Sequence, residues 1–136
     1  MAFMSQEHKK SLAPAIMAVC KRYGVKATIS VDHHTSLVLT IKSAPFDLIA
    51  NRNKIVTEYA ERRGDPVYLA KDYFQVNTHH IDSGFSGKSR RFLNRVLAAM
   101  NEGNWDKSET QTDYFNVGWY VDVNIGRWNK PFVVKA

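Results

Sequence analysis

Leu12, Ile16, Val19, Cys20 and Tyr23 recur three or four places apart, a spacing that predicts a helix ending at Tyr23. Ser11 is its candidate cap. Pro14 fits a first turn, where a missing N–H costs nothing, and residues 5–10 are read as an earlier helical turn. Gly24 stops the helix, with Lys21 and Arg22 at the negative end of its dipole. The period then changes to two. Ala27, Ile29 and Val31 alternate with Thr28, Ser30 and Asp32, and Leu37, Leu39 and Ile41 alternate with Val38, Thr40 and Lys42. Two strands with one buried and one wetter face follow, joined through His33-His34-Thr35-Ser36 as a hairpin.

Ser43-Ala44-Pro45 opens a second predicted helix with Asp47 in its first turn and Phe46, Ile49, Val56 and Tyr59 on its apolar side. Arg62, Arg63, Gly64 and Pro66 end it, and the poor helix formers Asn51-Arg52-Asn53 mark a possible break. Tyr73 to Val76 reads as a strand and Asn77 to Phe85 as a loop. Ser86 caps the best amphipathic segment, which runs to about Asn101 with Phe92, Leu93, Val96, Leu97 and Met100 on one face and Gly103 after it. The longest predicted strand alternates Phe115, Val117, Trp119, Val121, Val123 and Ile125 with Tyr114, Asn116, Gly118, Tyr120, Asp122 and Asn124. Gly126-Arg127-Trp128-Asn129 turns the chain, and Phe132-Val133-Val134 returns as a terminal strand. The order predicts one α+β domain over residues 1–136: a mostly antiparallel sheet of about five strands with two to three helices on one face. Val121, Val123, Ile125, Leu93, Leu97 and Ile29 are expected to share its core.

Length and composition agree with such a core. The 136 residues include three Trp, six Tyr and seven Phe, enough large rings to fold without staples. Cys20 is alone, so no internal disulfide is expected. The opening Met1-Ala2-Phe3-Met4 runs into polar residues without the apolar stretch of a secretory signal. No apolar run reaches the roughly 20 residues of a membrane span. A cytoplasmic location is expected.

The net charge is +6, and it is uneven. Residues 1–42 hold six bases against two acids, residues 43–84 five against six, and residues 85–136 eight against five. A basic excess at both ends favours polyanionic partners such as nucleic acid; the alternative reading is a solubilising surface charge. Its sharpest local form is Lys88, Arg90, Arg91 and Arg95. At 100° per residue Lys88, Arg91 and Arg95 fall within about 60° of one another, away from the apolar face, with Arg90 at the edge. Gly84, Ser86, Gly87 and Ser89 would bring amide N–H groups to a phosphate at the start of that helix. Tyr120, Asp122 and Asn124, on the less apolar side of the last long strand, form the next candidate surface.

His33-His34 and His79-His80 are adjacent pairs, and neighbours in an extended chain point opposite ways, so neither pair suits one metal ion; His8 stands apart. Asp106, Asp113 and Asp122 are the carboxylates a metal-dependent hydrolase would need to converge. Cys20 sits on an apolar helix face and reads as core. Trp119 is in register with core valines, whereas Tyr114, Tyr120, Trp105 and Trp128 are free to stack nucleobases or anchor a protein interface. No nucleotide-binding, zinc-finger or RNA-recognition signature is present, so no cofactor, bound metal or catalytic residue is assigned.

Ser11-Leu12-Ala13-Pro14-Ala15-Ile16, Lys21-Arg22-Tyr23-Gly24-Val25-Lys26 leading into Thr28-Ile29-Ser30-Val31, Leu37 to Lys42, Asn104-Trp105-Asp106 and Thr112 to Gly126 resemble small uncharacterised proteins of bacteriophages and other mobile elements. They are similar to the large polyvalent protein-associated domains. The resemblance covers both ends of the chain and leaves out residues 50–84. It implies a role in early infection or counter-defence and carries no catalytic motif. The expected function is that of an accessory protein that binds and modulates a host protein or nucleoprotein complex with an acidic surface. The alternative is weakly sequence-specific nucleic-acid binding, with a metal-dependent enzyme third.

Overall fold

The computed structural model describes residues 2–105 and 117–135. The first helix, α1, spans Gln6–Tyr23 as one piece. Ser5 is its N-cap, with Oγ accepting from the His8 N–H at 3.0 Å. The expected start at Ser11 is therefore too late, and Pro14 lies in the interior of the helix. An interior proline costs about 3 kcal/mol because it removes a ladder hydrogen bond. Pro14 and Lys10, whose carbonyl would have received that bond, both lie on the exposed side, so the freed acceptor is not buried. Leu12, Ile16 and Cys20 are buried on the opposite side. Gly24 closes the helix in the left-handed conformation, its N–H reaching the Cys20 and Lys21 carbonyls.

The hairpin forms as β1 (Lys26–Asp32) and β2 (Ser36–Ala44). Asp32 to Thr35 is a tight turn, with the Thr35 N–H on the Asp32 carbonyl at 3.1 Å. His33 and His34 both take positive φ, 52° and 58°. β2 runs further than the alternation suggested, through Ser43 and Ala44, so the second helix does not open at Ser43-Ala44-Pro45. It is capped instead by Asp47, whose Oδ1 accepts from the Ala50 N–H at 2.9 Å. This helix, α2 (Leu48–Arg63), is unbroken. Its asparagines are spent on tertiary bonds. Asn53 pairs with the backbone of Ala70 in both directions, 2.7 and 3.0 Å, and Asn51 does the same with Ser86 through its hydroxyl at 2.8 Å and its N–H at 2.9 Å. Two such pairs outweigh the few tenths of a kcal/mol that each asparagine costs as a helix former. Leu48, Ile49 and Ala60 are the buried positions, while Tyr59 stands 56% exposed beside Arg63.

A short strand, β3 (Phe74–Val76), leads to one helical turn, α3 (Ile81–Gly84), where a loop was expected. The basic amphipathic helix, α4, spans Gly87–Met100. Ser86 holds its N-cap position, but the Ser86 hydroxyl takes the Asn51 amide and makes no bond to the helix. The last long strand is described as β4 (Tyr120–Ile125), followed by β5 (Val133–Val134); the upstream part of the predicted strand, including Tyr114, Phe115 and Asn116, lies outside the described residues.

The sheet order is β1-β2-β4-β3, with β5 also on β2. β1 and β2, and β3 and β4, are antiparallel. β4 and β5 both run parallel to β2, making the sheet mixed rather than mostly antiparallel. The terminal strand does not return along β4. After an excursion through residues 126–132 it carries on in the same direction, because β2 is long enough to receive β4 at Ser36–Ile41 and β5 at Ser43–Ala44.

Alternation then sorts the side chains. Leu37, Leu39 and Ile41 of β2, with Val123 and Ile125 of β4, meet Leu12, Ile16, Phe92, Leu93, Val96 and Met100 in one core, with Val121, Ile29 and Leu97 packed at its margin. Trp119 is buried and donates its indole N–H to the Met100 carbonyl at 3.0 Å. Among the described residues no helix is long and apolar enough to cross a membrane.

Candidate functional site

α4 presents its charge as the spacing predicted. Phe92, Leu93, Val96 and Met100 anchor it in the core, and Lys88, Arg90, Arg91 and Arg95 are all exposed. None of the four has a carboxylate within 4.0 Å among the described residues. The neighbouring acid, Asp82 of α3, is held by the Asn94 amide at 2.8 Å. Lys88 projects toward Phe46, its Nζ 5.4 Å from the ring centroid. The phosphate cradle expected at the start of this helix is not formed as read. The Gly84 N–H goes to the His80 carbonyl and the Ser86 N–H to Asn51 Oδ1, while Ser89 is buried.

Tyr120, Asp122 and Asn124 lie on the other side of the molecule. Helices α1 and α4 share the core with one face of the sheet, and these three alternate onto the open face. Sequence reasoning grouped them with the α4 cations as binding residues; the fold separates the two sets by the thickness of the sheet. On the open face, register builds rows across the strands. Thr28, Thr40, Asn124 and Gln75 form one, and Asp122 sits beside Val38 in another. Partial burial, and secondarily the charge of Asp32, pushes the Asp122 carboxyl above the ordinary range.

The same face turns basic at the far ends of β2 and β4. Lys42, Arg127, Lys130 and Lys135 surround a concavity of about 550 Å³ floored by Thr28, Thr40 and Ser43. All four cations are exposed, and none has a carboxylate within 4.0 Å among the described residues. A second hollow of about 450 Å³ adjoins it, sharing Gly126 and Arg127, with Tyr73, Gln75, Asn124 and Trp128 around it. Residues 127–130 form a turn closed in both directions, Arg127 N–H to Lys130 O at 2.8 Å and Lys130 N–H to Arg127 O at 3.1 Å. Trp128 stands 79% exposed on that turn. The sequence held one clue, a tryptophan between bases in a turn, but gave no means of adding Lys42 to it.

The remaining candidates do not assemble. His33 and His34 occupy the hairpin turn, His79 and His80 precede α3, and His8 sits edge-on to Trp119 with ring centroids 4.6 Å apart. No three His, Cys, Asp or Glu side chains converge among the described residues, and Asp106 and Asp113 lie outside them. Cys20 is buried, and burial pushes its thiol up to about 11, far from the thiolate a nucleophile requires. No family model, curated protein or solved structure matches this chain.

Proposed function

We propose that this chain is a binding protein that docks through the basic face of α4 on an acidic partner, a host protein or nucleoprotein complex, and modulates it. The observation that carries this reading is the stripe Lys88, Arg91 and Arg95. Three exposed cations share one helix face, without an acid within 4.0 Å among the described residues, on a helix whose opposite side is locked in the core. Exposed charge that is not paired internally contributes little to stability. It steers encounter with an oppositely charged surface and raises the association rate. The resemblance to phage and mobile-element proteins supplies the biological setting, counter-defence in the cytoplasm of a host cell.

The test is affinity capture from infected cells with the parent chain and with Lys88→Glu/Arg91→Glu/Arg95→Glu. The variant keeps the parent's melting temperature within a few degrees and loses the captured partner. With the purified partner the loss falls mainly on the on-rate for a protein surface. It appears as a reduced salt slope where the contacted surface is nucleic acid. A folded triple variant that captures its partner as the parent does removes α4 from the interface.

A further inference from the structure

We propose that the open face of the sheet is a second, separate binding site, and that it takes a single-stranded nucleic acid, with phosphates against Lys42, Arg127, Lys130 and Lys135 and a base on Trp128. Three observations point there. The four cations arrive from β2, from the 127–130 turn and from the residue after β5, and they converge on one concavity with no carboxylate within 4.0 Å among the described residues. Lone surface lysines are commonplace, but a shared hollow with a hydroxyl floor is a place for an anion. Next to it, Trp128 stands 79% exposed and Tyr73 53% exposed on either side of the adjoining hollow. The turn that carries Trp128 is closed by two backbone hydrogen bonds, so little backbone entropy is lost when a base stacks on the exposed ring.

The row Thr28, Thr40, Asn124 and Gln75 runs through both hollows, the threonines in the first and the carboxamides in the second. It crosses four strands, and three strand spacings come to about 14 Å, room for an extended run of a few nucleotides. The Thr28 hydroxyl and the Asn124 and Gln75 carboxamides offer donors and acceptors to base edges without a fixed code, which favours weak sequence preference. Stacking on Trp128 needs an unpaired base, so the site favours single strands over duplex. Asp32 and Asp122 lie toward the opposite end of the same face and set the polarity, phosphates at the Lys42 end. The site is independent of the α4 reading, since it lies on the other side of the sheet.

The probes are end-labelled twelve-residue oligothymidylate and oligouridylate, followed by fluorescence anisotropy and by tryptophan quenching on the full chain. Both oligomers bind, the affinity falls as salt rises, and a duplex of the same length binds more weakly. Trp128→Ala weakens binding roughly 5- to 150-fold, the range found when a base loses an aromatic partner. Arg127→Glu/Lys130→Glu weakens it further and flattens the salt dependence. Lys42→Glu/Lys135→Glu does the same from the other rim, should the turn variant lose its fold. Lys21→Gln/Arg22→Gln, two exposed cations of α1 on the helix side of the sheet, leaves oligomer binding within about twofold of the parent. A preference for one of the two oligomers identifies DNA or RNA as the source. Unchanged binding in Trp128→Ala, equal affinity for polyglutamate, or loss of oligomer binding in the α1 variant overturns the proposal.

Discussion

Gly126 and Gly64 have nearly the same backbone conformation, φ 71° and 72°, yet alanine is predicted to cost very different amounts at the two. A left-handed alanine costs about 1–2 kcal/mol. Restricting the unfolded chain returns about 0.4–1 kcal/mol. At Gly64, the C-cap of α2, a Cβ meets nothing within 4 Å, so the net cost is about 1 kcal/mol. At Gly126 the Cβ would lie 2.6 Å from the Phe132 nitrogen and 2.7 Å from the Asp72 carbonyl oxygen. Both are backbone atoms joined to each other by a hydrogen bond of 2.8 Å, and Gly126 itself donates to the Ile41 carbonyl at 2.8 Å. Relieving the clash adds about 1–3 kcal/mol of overpacking strain and weakens bonds worth about 1 kcal/mol each. Gly126→Ala should therefore lie about 2–4 kcal/mol below Gly64→Ala, or about 6–20 °C in melting temperature for a chain of this size. Parallel thermal and urea melts measure the difference. Equal losses in the two variants would refute the close approach of β4's end to residues 72 and 132, and with it the shape of the basic hollow.

Val123 is fully buried in the core, so Val123→Asp strands an unpaired charge and should cost about 4 kcal/mol or more; a melt within a degree or two of the parent would mean the register of β4 is wrong. The Asp122 carboxyl is raised above its ordinary 3.8 in the folded chain, so between those values the folded state holds more proton and stability falls as pH rises through that window. Asp122→Asn should then be more stable than the parent at pH 7, with the gap closing as pH falls toward the ordinary carboxylate value; a gap that does not change with pH would rule this out. His33 and His34 hold positive φ in a turn that favours Asn-Gly. His33→Asn/His34→Gly should stabilise by about 1 kcal/mol, and a destabilised double variant would show that the imidazoles contribute more than the strain costs.

What the sequence made legible is local. Alternation placed Ala27, Ile29 and Val31 inward and Thr28, Ser30 and Asp32 outward, as the burial along β1 has it. Helical spacing put Phe92, Leu93 and Val96 in the core and Lys88, Arg91 and Arg95 in water, because both properties are decided within a few turns of one helix. The readings that missed are those settled by partners distant in the chain. Asn51 and Asn53 are poor helix formers until Ser86 and Ala70 supply hydrogen bonds across the fold. Pro14 belongs at a helix start unless a better cap precedes it, and Ser5 is that cap.

Strand direction is the deepest of these, and it decides which sites exist. A period of two is the same whether neighbouring strands run parallel or antiparallel, so Val121, Val123 and Ile125 predicted a buried face and said nothing of orientation. Had the terminal segment turned back along β4, Lys130 and Lys135 would have lain beside β4 rather than at the end of β2. Because β4 and β5 instead follow β2 in its own direction, Ser43 meets Val133, the Lys135 N–H reaches the Ala44 carbonyl at 2.8 Å, and Lys135 is brought to Lys42. Lys42 and Lys135 meet Arg127 and Lys130 of the turn only through that parallel pairing. The α4 stripe needs no such condition, since its spacing alone sets it. One basic surface of this protein is therefore written in a short run of sequence and the other in the topology of the sheet, which is why only the first could be named from the sequence.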